Sequence, residues 1–198
     1  VVVDLAKTGL QQTGMGQLAL TGVDAVIGGD KGSTLSGDAS ANVLTGGAAE
    51  DRLNGRNGSD VLMGGGGDDV LDGGAGQDEA RYGGASTSYV IGIDSSGWNI
   101  KDIRSSGDGF DRLLNVESLV FSDRAITLGS PLVGLAVASL MRVNAATGAG
   151  SALVIDLTTK ISNGALSQAS AVTEIVKAAG ATTSVATLAY EFFTGKIP

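Results

Sequence analysis

The chain has 198 residues, 32 of them glycine and 2 proline, no cysteine, no histidine and a formal net charge of −8. The acid is unevenly spread: residues 1–128 carry 18 acidic and 9 basic side chains, whereas residues 129–198 carry 3 and 4. Disulfides and thiolate zinc sites are excluded, the usual imidazole base and the HExxH zinc motif are missing, and a nucleic-acid partner is disfavoured by the acidic balance. No apolar run approaches the roughly twenty residues of a membrane-spanning helix. Val1 is not an initiator methionine and no signal peptide is visible, so the sequence reads as a piece of a longer protein.

Residues 1–27 open with Val1 to Leu5, whose weak alternation predicts a strand. Further on, Gly22, Asp24 and Val26 fall into the register of the stretch that follows. This segment is expected to form irregular outer turns of a solenoid, with Asp24 standing in the ligand column.

Residues 28–82 are organised in nine-residue blocks: GGDKGSTLS, GDASANVLT, GGAAEDRLN, GRNGSDVLM, GGGGDDVLD and GGAGQDEAR. The apolar column holds Leu35, Leu44, Leu53, Leu62, Leu71 and Ala80. Two places earlier stand Ser33, Asn42, Asp51, Asp60, Asp69 and Asp78. Nine residues suit a half-turn of solenoid: a short strand with one inward side chain, then a glycine-rich head whose backbone turns sharply at positive φ. Alternate blocks then stack at the inter-strand spacing of roughly 4.8 Å. This places Asp51 by Asp69 and Asp60 by Asp78. Carboxylates so close repel by about 1 kcal/mol even in water, and more when shielded. A hard cation with oxygen ligands, some of them backbone carbonyls, relieves that repulsion, and calcium fits. The predicted ligand residues are Asp51, Asp60, Asp69 and Asp78, with Gly58, Gly67 and Gly76 in the heads. Weaker positions pair Asn42 with Asp60 and Ser33 with Asp51. One leucine per nine residues buries little area against the entropy of so much glycine, so metal binding and folding are expected to be one event.

The period and the order of residues resemble the nonapeptide GGxGxDxUx of the RTX family, best at Gly58-Asp60-Leu62, Gly67-Asp69-Leu71 and Gly76-Asp78-Ala80. The resemblance implies a mainly β fold: a calcium-stabilised parallel β-roll solenoid with a β cap, followed by a small α-helical region. It also implies export by type I secretion machinery. The chain would stay unfolded in the calcium-poor cytosol and fold outside a Gram-negative cell, as a secreted, extracellular or outer-surface protein.

Residues 83–128 lose the period. Ser88–Asp94 and Trp98–Ile103 predict a hairpin about Ser95-Ser96-Gly97. The following GDGFDRLLNVESLVFSDRAITL is similar to the stretch that closes the roll in RTX proteins, serralysin-type proteases included; Asp108, Asp111, Asn115, Glu117 and Asp123 carry the likeness. A solenoid needs its last open edge covered, and Trp98, Leu113, Leu119, Phe121 and Ile126 are the expected capping core. Asp108 and Asp111 read either as turn formers or as holders of a further cation.

Residues 129–198 predict helices at 132–143, 151–161, 167–179 and 182–193, with Pro131 as a first-turn residue and Gly195 and Pro198 as stops. AVTEIVK at 171–177 and ATLAYEFFTGK at 186–196 resemble a helical module of Caulobacter-type surface-layer proteins. That likeness implies attachment to lipopolysaccharide at the cell surface; self-association through solenoid edges is a further expectation. The expected function is that of a non-catalytic calcium-binding module. The alternative is the C-terminal part of a serralysin-like zinc protease whose catalytic domain lies upstream.

Overall fold

The computed structural model describes residues 1–13, 17–94, 96–105, 107–129, 155–157, 159–160, 165–166 and 170. Residues 1–90 and 98–126 form one compact unit; residues 91–97 and 127–198 form another. In chain order the strands are β1 (Val2–Asp4), β2 (Gln11–Gln12), β3 (Gln17–Leu18), β4 (Ala25–Ile27), β5 (Thr34–Ser36), β6 (Val43–Gly47), β7 (Arg52–Asn54), β8 (Val61–Gly65), β9 (Val70–Asp72), β10 (Glu79–Arg81), β11 (Tyr89–Asp94), β12 (Gly97–Asp102), β13 (Phe110–Leu114), β14 (Ser118–Val120) and β15 (Ala125–Thr127).

Consecutive repeats alternate between two parallel sheets. The first sheet places β1, β5, β7, β9, β13 and β12 side by side. The second places β4, β6, β8, β10, β14 and β15 side by side. Neighbours within a sheet are eighteen residues apart, as in Leu35↔Leu53↔Leu71 and Val26↔Leu44↔Leu62↔Ala80. Because side chains alternate along a strand, each three-residue strand sends one inward. Leu35, Leu44, Leu53, Leu62, Leu71 and Ala80 are all at most 1% exposed. Two leucine stacks thus back onto each other between the sheets. Each buried leucine contributes about 1.5–3 kcal/mol, against nine residues to be ordered.

The cap continues this pattern with different spacing. β13 joins β9 in parallel, putting Leu113 on Leu71, and β14 joins β10, putting Leu119 on Ala80. β12 then pairs antiparallel with β13, Trp98 opposite Leu113. Trp98, Leu113, Leu119 and Phe121 are buried as expected, and Val116, Tyr82 and Tyr89 join them. Tyr82, Tyr89 and Phe121 form a three-ring cluster with centroids 5.1–5.8 Å apart. Ile126 is the exception. It lies on the short edge strand β15 and is only half-buried.

At the other end, the irregular outer turns take a form the sequence did not show. β1 pairs with β5 in parallel, Val3 on Leu35, so residues 2–4 lead the first sheet. The chain then loops out through the antiparallel β2–β3 pair before β4 leads the second sheet. In the second unit, residues 155–157 and 159–160 are helical, with Ile155 and Leu157 buried. The other helices expected beyond residue 129, and the stretches resembling a surface-layer module, lie outside the described residues.

Candidate metal centre

The heads of the repeats stack in two files, one along each side of the roll. One file holds the turns ending in Ser33, Asp51 and Asp69; the other holds those ending in Asn42, Asp60 and Asp78. These six residues are at most 4% exposed, and Asp51, Asp60, Asp69 and Asp78 at most 1%.

Each carboxylate is fixed by one oxygen. Asp60 Oδ1 accepts from the Asn42 N–H at 2.7 Å, Asp69 Oδ1 from Asp51 at 2.8 Å and Asp78 Oδ1 from Asp60 at 2.8 Å; Asp51 Oδ1 accepts from the Ser33 N–H. The partner of each N–H is thus the side chain one turn further on. The second oxygen has nothing: Asp51, Asp60, Asp69 and Asp78 all bury an Oδ2 without a hydrogen-bond partner. A buried polar atom left unpaired costs about 1–3 kcal/mol, and more when ionised.

Those orphaned oxygens share a surrounding. Those of Asp51, Asp60 and Asp69 lie above the first glycine of their own heads, where a side chain would otherwise stand, and over Gly73 lie the Asp78 Cβ and carboxyl carbon. A methyl group on Gly46 would collide with Asp51 Oδ2 and the Gly64 carbonyl; on Gly55 it would collide with Asp60 Oδ2 and the Gly73 carbonyl. Gly64 faces Asp69 in the same way, and Gly37 faces the Asn42 amide oxygen and the Gly55 carbonyl. At Gly28 the oxygens are Ser33 Oγ and Gly46 O, each 2.6 Å from the would-be methyl. The missing Cβ therefore leaves a small oxygen-lined cradle, repeated along each file. Among the described residues no group of three or more acidic side chains converges to hold a metal. The cradles at Gly46 and Gly55 combine a carboxylate oxygen with a main-chain carbonyl, the donor set a hard divalent ion takes.

Burial pushes the Asp60, Asp69 and Asp78 carboxyls upward. Asp69 rises to about 6, mainly through desolvation, with Asp51, Asp68 and Glu50 adding repulsion. Asp60 and Asp78 are raised for the same first reason, with Asp78 also repelling Asp60. A divalent cation, if held there, would supply the positive charge that keeps such groups ionised in a dry site.

The two files do not stop with the repeats. Asp111 Oδ1 accepts from the Asp69 N–H at 3.0 Å, and Glu117 Oε2 from the Asp78 N–H at 2.8 Å. Both cap acids occupy the next rung, although they lie 42 and 39 residues on rather than eighteen. Asp111 is 1% exposed and pushed up to about 8 by burial, with Asp69 adding repulsion. Tyr82 takes the place of the next glycine in the first file, eighteen residues after Gly64. Its buried hydroxyl faces Asp111.

Asp108 has other partners. Its Oδ2 accepts from Tyr89 and, at 3.3 Å, from Arg104. Arg104 is in turn held by Asp102, whose carboxyl it lowers to about 2. Asp108 and Asp111 therefore serve different networks.

Of the other expected ligand residues, Asn42 is buried beside its cradle, but Asp24 is exposed at the leading edge. Gly58, Gly67 and Gly76 have φ of 125°, 113° and 154°, and a methyl on any of them would strike the backbone of the turn before. They let the heads stack, whereas Gly37, Gly46, Gly55, Gly64 and Gly73 make the cradles. The signal for the second set was the glycine opening every block.

At the leading end of the second file a protein cation stands in. Arg56 Nη1 donates at 2.6 Å both to Asp4 Oδ1 and to Gly37 O, the carbonyl equivalent to those of Gly55 and Gly73.

A two-sheet parallel solenoid of nine-residue half-turns, with carboxylates and glycine carbonyls converging along both files of heads, is a calcium-binding β-roll. The family model of the RTX calcium-binding nonapeptide repeat (4 copies) matches residues 19–53, 27–62 and 45–80, so this region of the chain belongs to that repeat family and binds calcium. No curated protein matches the chain. Among solved structures, the extracellular lipase LipA from Serratia marcescens is similar at a TM-score of 0.42 and 22% identity, over 46% of this chain and 14% of the lipase.

Proposed function

We propose that this chain is a non-catalytic module of a protein exported by type I secretion, in which calcium drives folding outside the cell and the folded roll supports whatever is attached to it. The ions sit in the cradles, with Asp51, Asp60, Asp69 and Asp78 as anionic ligands and glycine carbonyls completing the shell. The observation that carries this reading is the set of four buried carboxylates, each with one oxygen lacking any partner in a cradle no side chain fills. Without a cation the files hold mutually repelling groups in a dry environment. With one in each cradle, the four orphaned carboxylate oxygens gain a partner. RTX repeats are generally a feature of exported proteins of Gram-negative bacteria, and affinities of extracellular calcium modules, about 10⁻⁴ to 10⁻³ M, would keep such a chain unfolded until it leaves the cytosol.

The test is far-UV circular dichroism and thermal melting across a calcium titration. β-Sheet signal and melting temperature rise together, and excess EDTA reverses both. At calcium about 100 times Kd each bound ion contributes about 2.7 kcal/mol, enough for a few ions to decide whether the roll folds. A chain equally folded in millimolar calcium and in chelator overturns the proposal.

A further inference from the structure

The cap closes the second file with a turn unlike any repeat. Asp69 and Asp78 are nine residues apart, but their counterparts Asp111 and Glu117 are six apart. β13 ends at Leu114 and β14 begins at Ser118, so Asn115-Val116-Glu117 replaces the glycine-rich head. Asn115 makes the reversal alone, at φ 50°.

These three residues nevertheless present the oxygens of a full head. A methyl on Gly73 would collide with the Asn115 carbonyl, as one on Gly55 would with the Gly73 carbonyl. The Asp78 carboxyl carbon lies 2.7 Å from that same point, and Asp78 Oδ2 is buried and unpartnered. Glu117 reaches the Asp78 N–H at 2.8 Å, as Asp78 reaches that of Asp60. The extra methylene of glutamate makes up for the missing loop residues.

We infer that Asp78, the Asn115 carbonyl and Glu117 form a terminal calcium position over Gly73, so that the cap is bound to the roll by an ion as well as by apolar packing. The inference rests on the calcium reading of the two files and extends it beyond the repeats. Docking of the cap is then itself calcium-dependent. Trp98, the single tryptophan, is 3% exposed on β12 opposite Leu113 and reports that docking.

The experiment counts calcium by equilibrium dialysis on the whole chain and follows Trp98 emission through the same titration, for wild type, Glu117→Gln and Asp60→Ala. Glutamine keeps an acceptor for the Asp78 N–H and loses only the anion, so a purely turn-anchoring role would not register. Glu117→Gln is expected to bind one ion fewer, or to need roughly tenfold more calcium at the Trp98 midpoint, as loss of one anionic ligand implies. An unchanged count with an unchanged midpoint overturns the terminal position. If Asp60→Ala also leaves the count unchanged, the ladder reading has failed; if only Asp60→Ala lowers it, the terminal position alone has failed. Should Glu117→Gln not fold at any calcium level, Glu117→Asp is read instead. Its shorter carboxylate keeps the charge but falls short, and a wild-type midpoint overturns the inference.

Discussion

The two ends of the second file solve one problem in opposite ways. At the leading end the Gly37 carbonyl and the Asp4 carboxylate are bridged by the Arg56 guanidinium. At the trailing end the Asn115 carbonyl and Asp78 meet over Gly73, and Glu117 holds the Asp78 N–H. The first end is closed by a charge that never leaves, since arginine stays protonated. The second, on the reading proposed above, takes an ion whose concentration varies. Between them the ligand column strengthens along the chain, from Ser33 and Asn42 to Asp51, Asp60, Asp69 and Asp78. Order in this roll is therefore expected to depend least on calcium where the repeats begin and most where they end.

The sharpest break would come from Asp60→Ala set beside Asp24→Ala. Asp60 is buried within the file, and its loss is expected to weaken calcium binding roughly tenfold or more, since ligand charge sets affinity. Asp24, exposed at the leading edge, and Asp38, whose Oδ1 accepts from Ser40 in its own turn, are expected to change affinity by less than about twofold. Calorimetric titration of the three variants checks this, and equal effects would erase the distinction between file and edge.

A smaller effect follows at the guanidinium. Arg56→Ala leaves Asp4 and Gly37 O without their shared donor and is expected to cost about 1–2 kcal/mol, discounted for the side chain's 35% exposure. Its mark should be a lower melting temperature with the calcium midpoint of Trp98 nearly unmoved. A shifted midpoint would mean that the two ends are tightly coupled.

The smallest expected effect is on pH dependence without metal. Asp60, Asp69 and Asp78 have raised carboxyl pKa values in the folded, calcium-free chain, Asp69 reaching about 6 and Asp111 about 8. A folded form that holds protons more tightly than the unfolded one is favoured at low pH. The contribution of these groups is complete below the ordinary carboxyl value of about 3.9. It fades as pH rises through 6 and, for Asp111, through 8. Calcium-free protein should then show more β signal near pH 4 than near pH 8. In saturating calcium the trend reverses, because protons compete for the ligands. Calcium-free protein more ordered at pH 8 than at pH 4 would contradict the burial of these carboxylates.

Much of the roll was readable because its information is local and periodic. Leu53 announces its partners Leu35 and Leu71 by a fixed step, and Asp60 announces Asp78 in the same way. The cap rungs hid because the step changes there: Asp111 pairs with Asp69 across an inserted hairpin, and Glu117 with Asp78 through a shortened turn. Nothing in the period marks Arg56, whose partner Asp4 is 52 residues away. Its own position, at φ 75°, is one of two block positions, with Asp38, where the second glycine is replaced. The division of labour between Gly58, Gly67 and Gly76 and the cradle glycines also needed three dimensions, since both columns keep the same period.

The hydrogen bonds between rungs all point the same way. Asp69 and Asp78 fasten Asp51 and Asp60, and are themselves fastened by Asp111 and Glu117. No turn is complete until its successor is in place, so the assembly has a direction, like a row of hooks each closed from behind. The cap, made after the repeats, is the clasp: cutting it away would free the final pair first and then, rung by rung, all those that precede it.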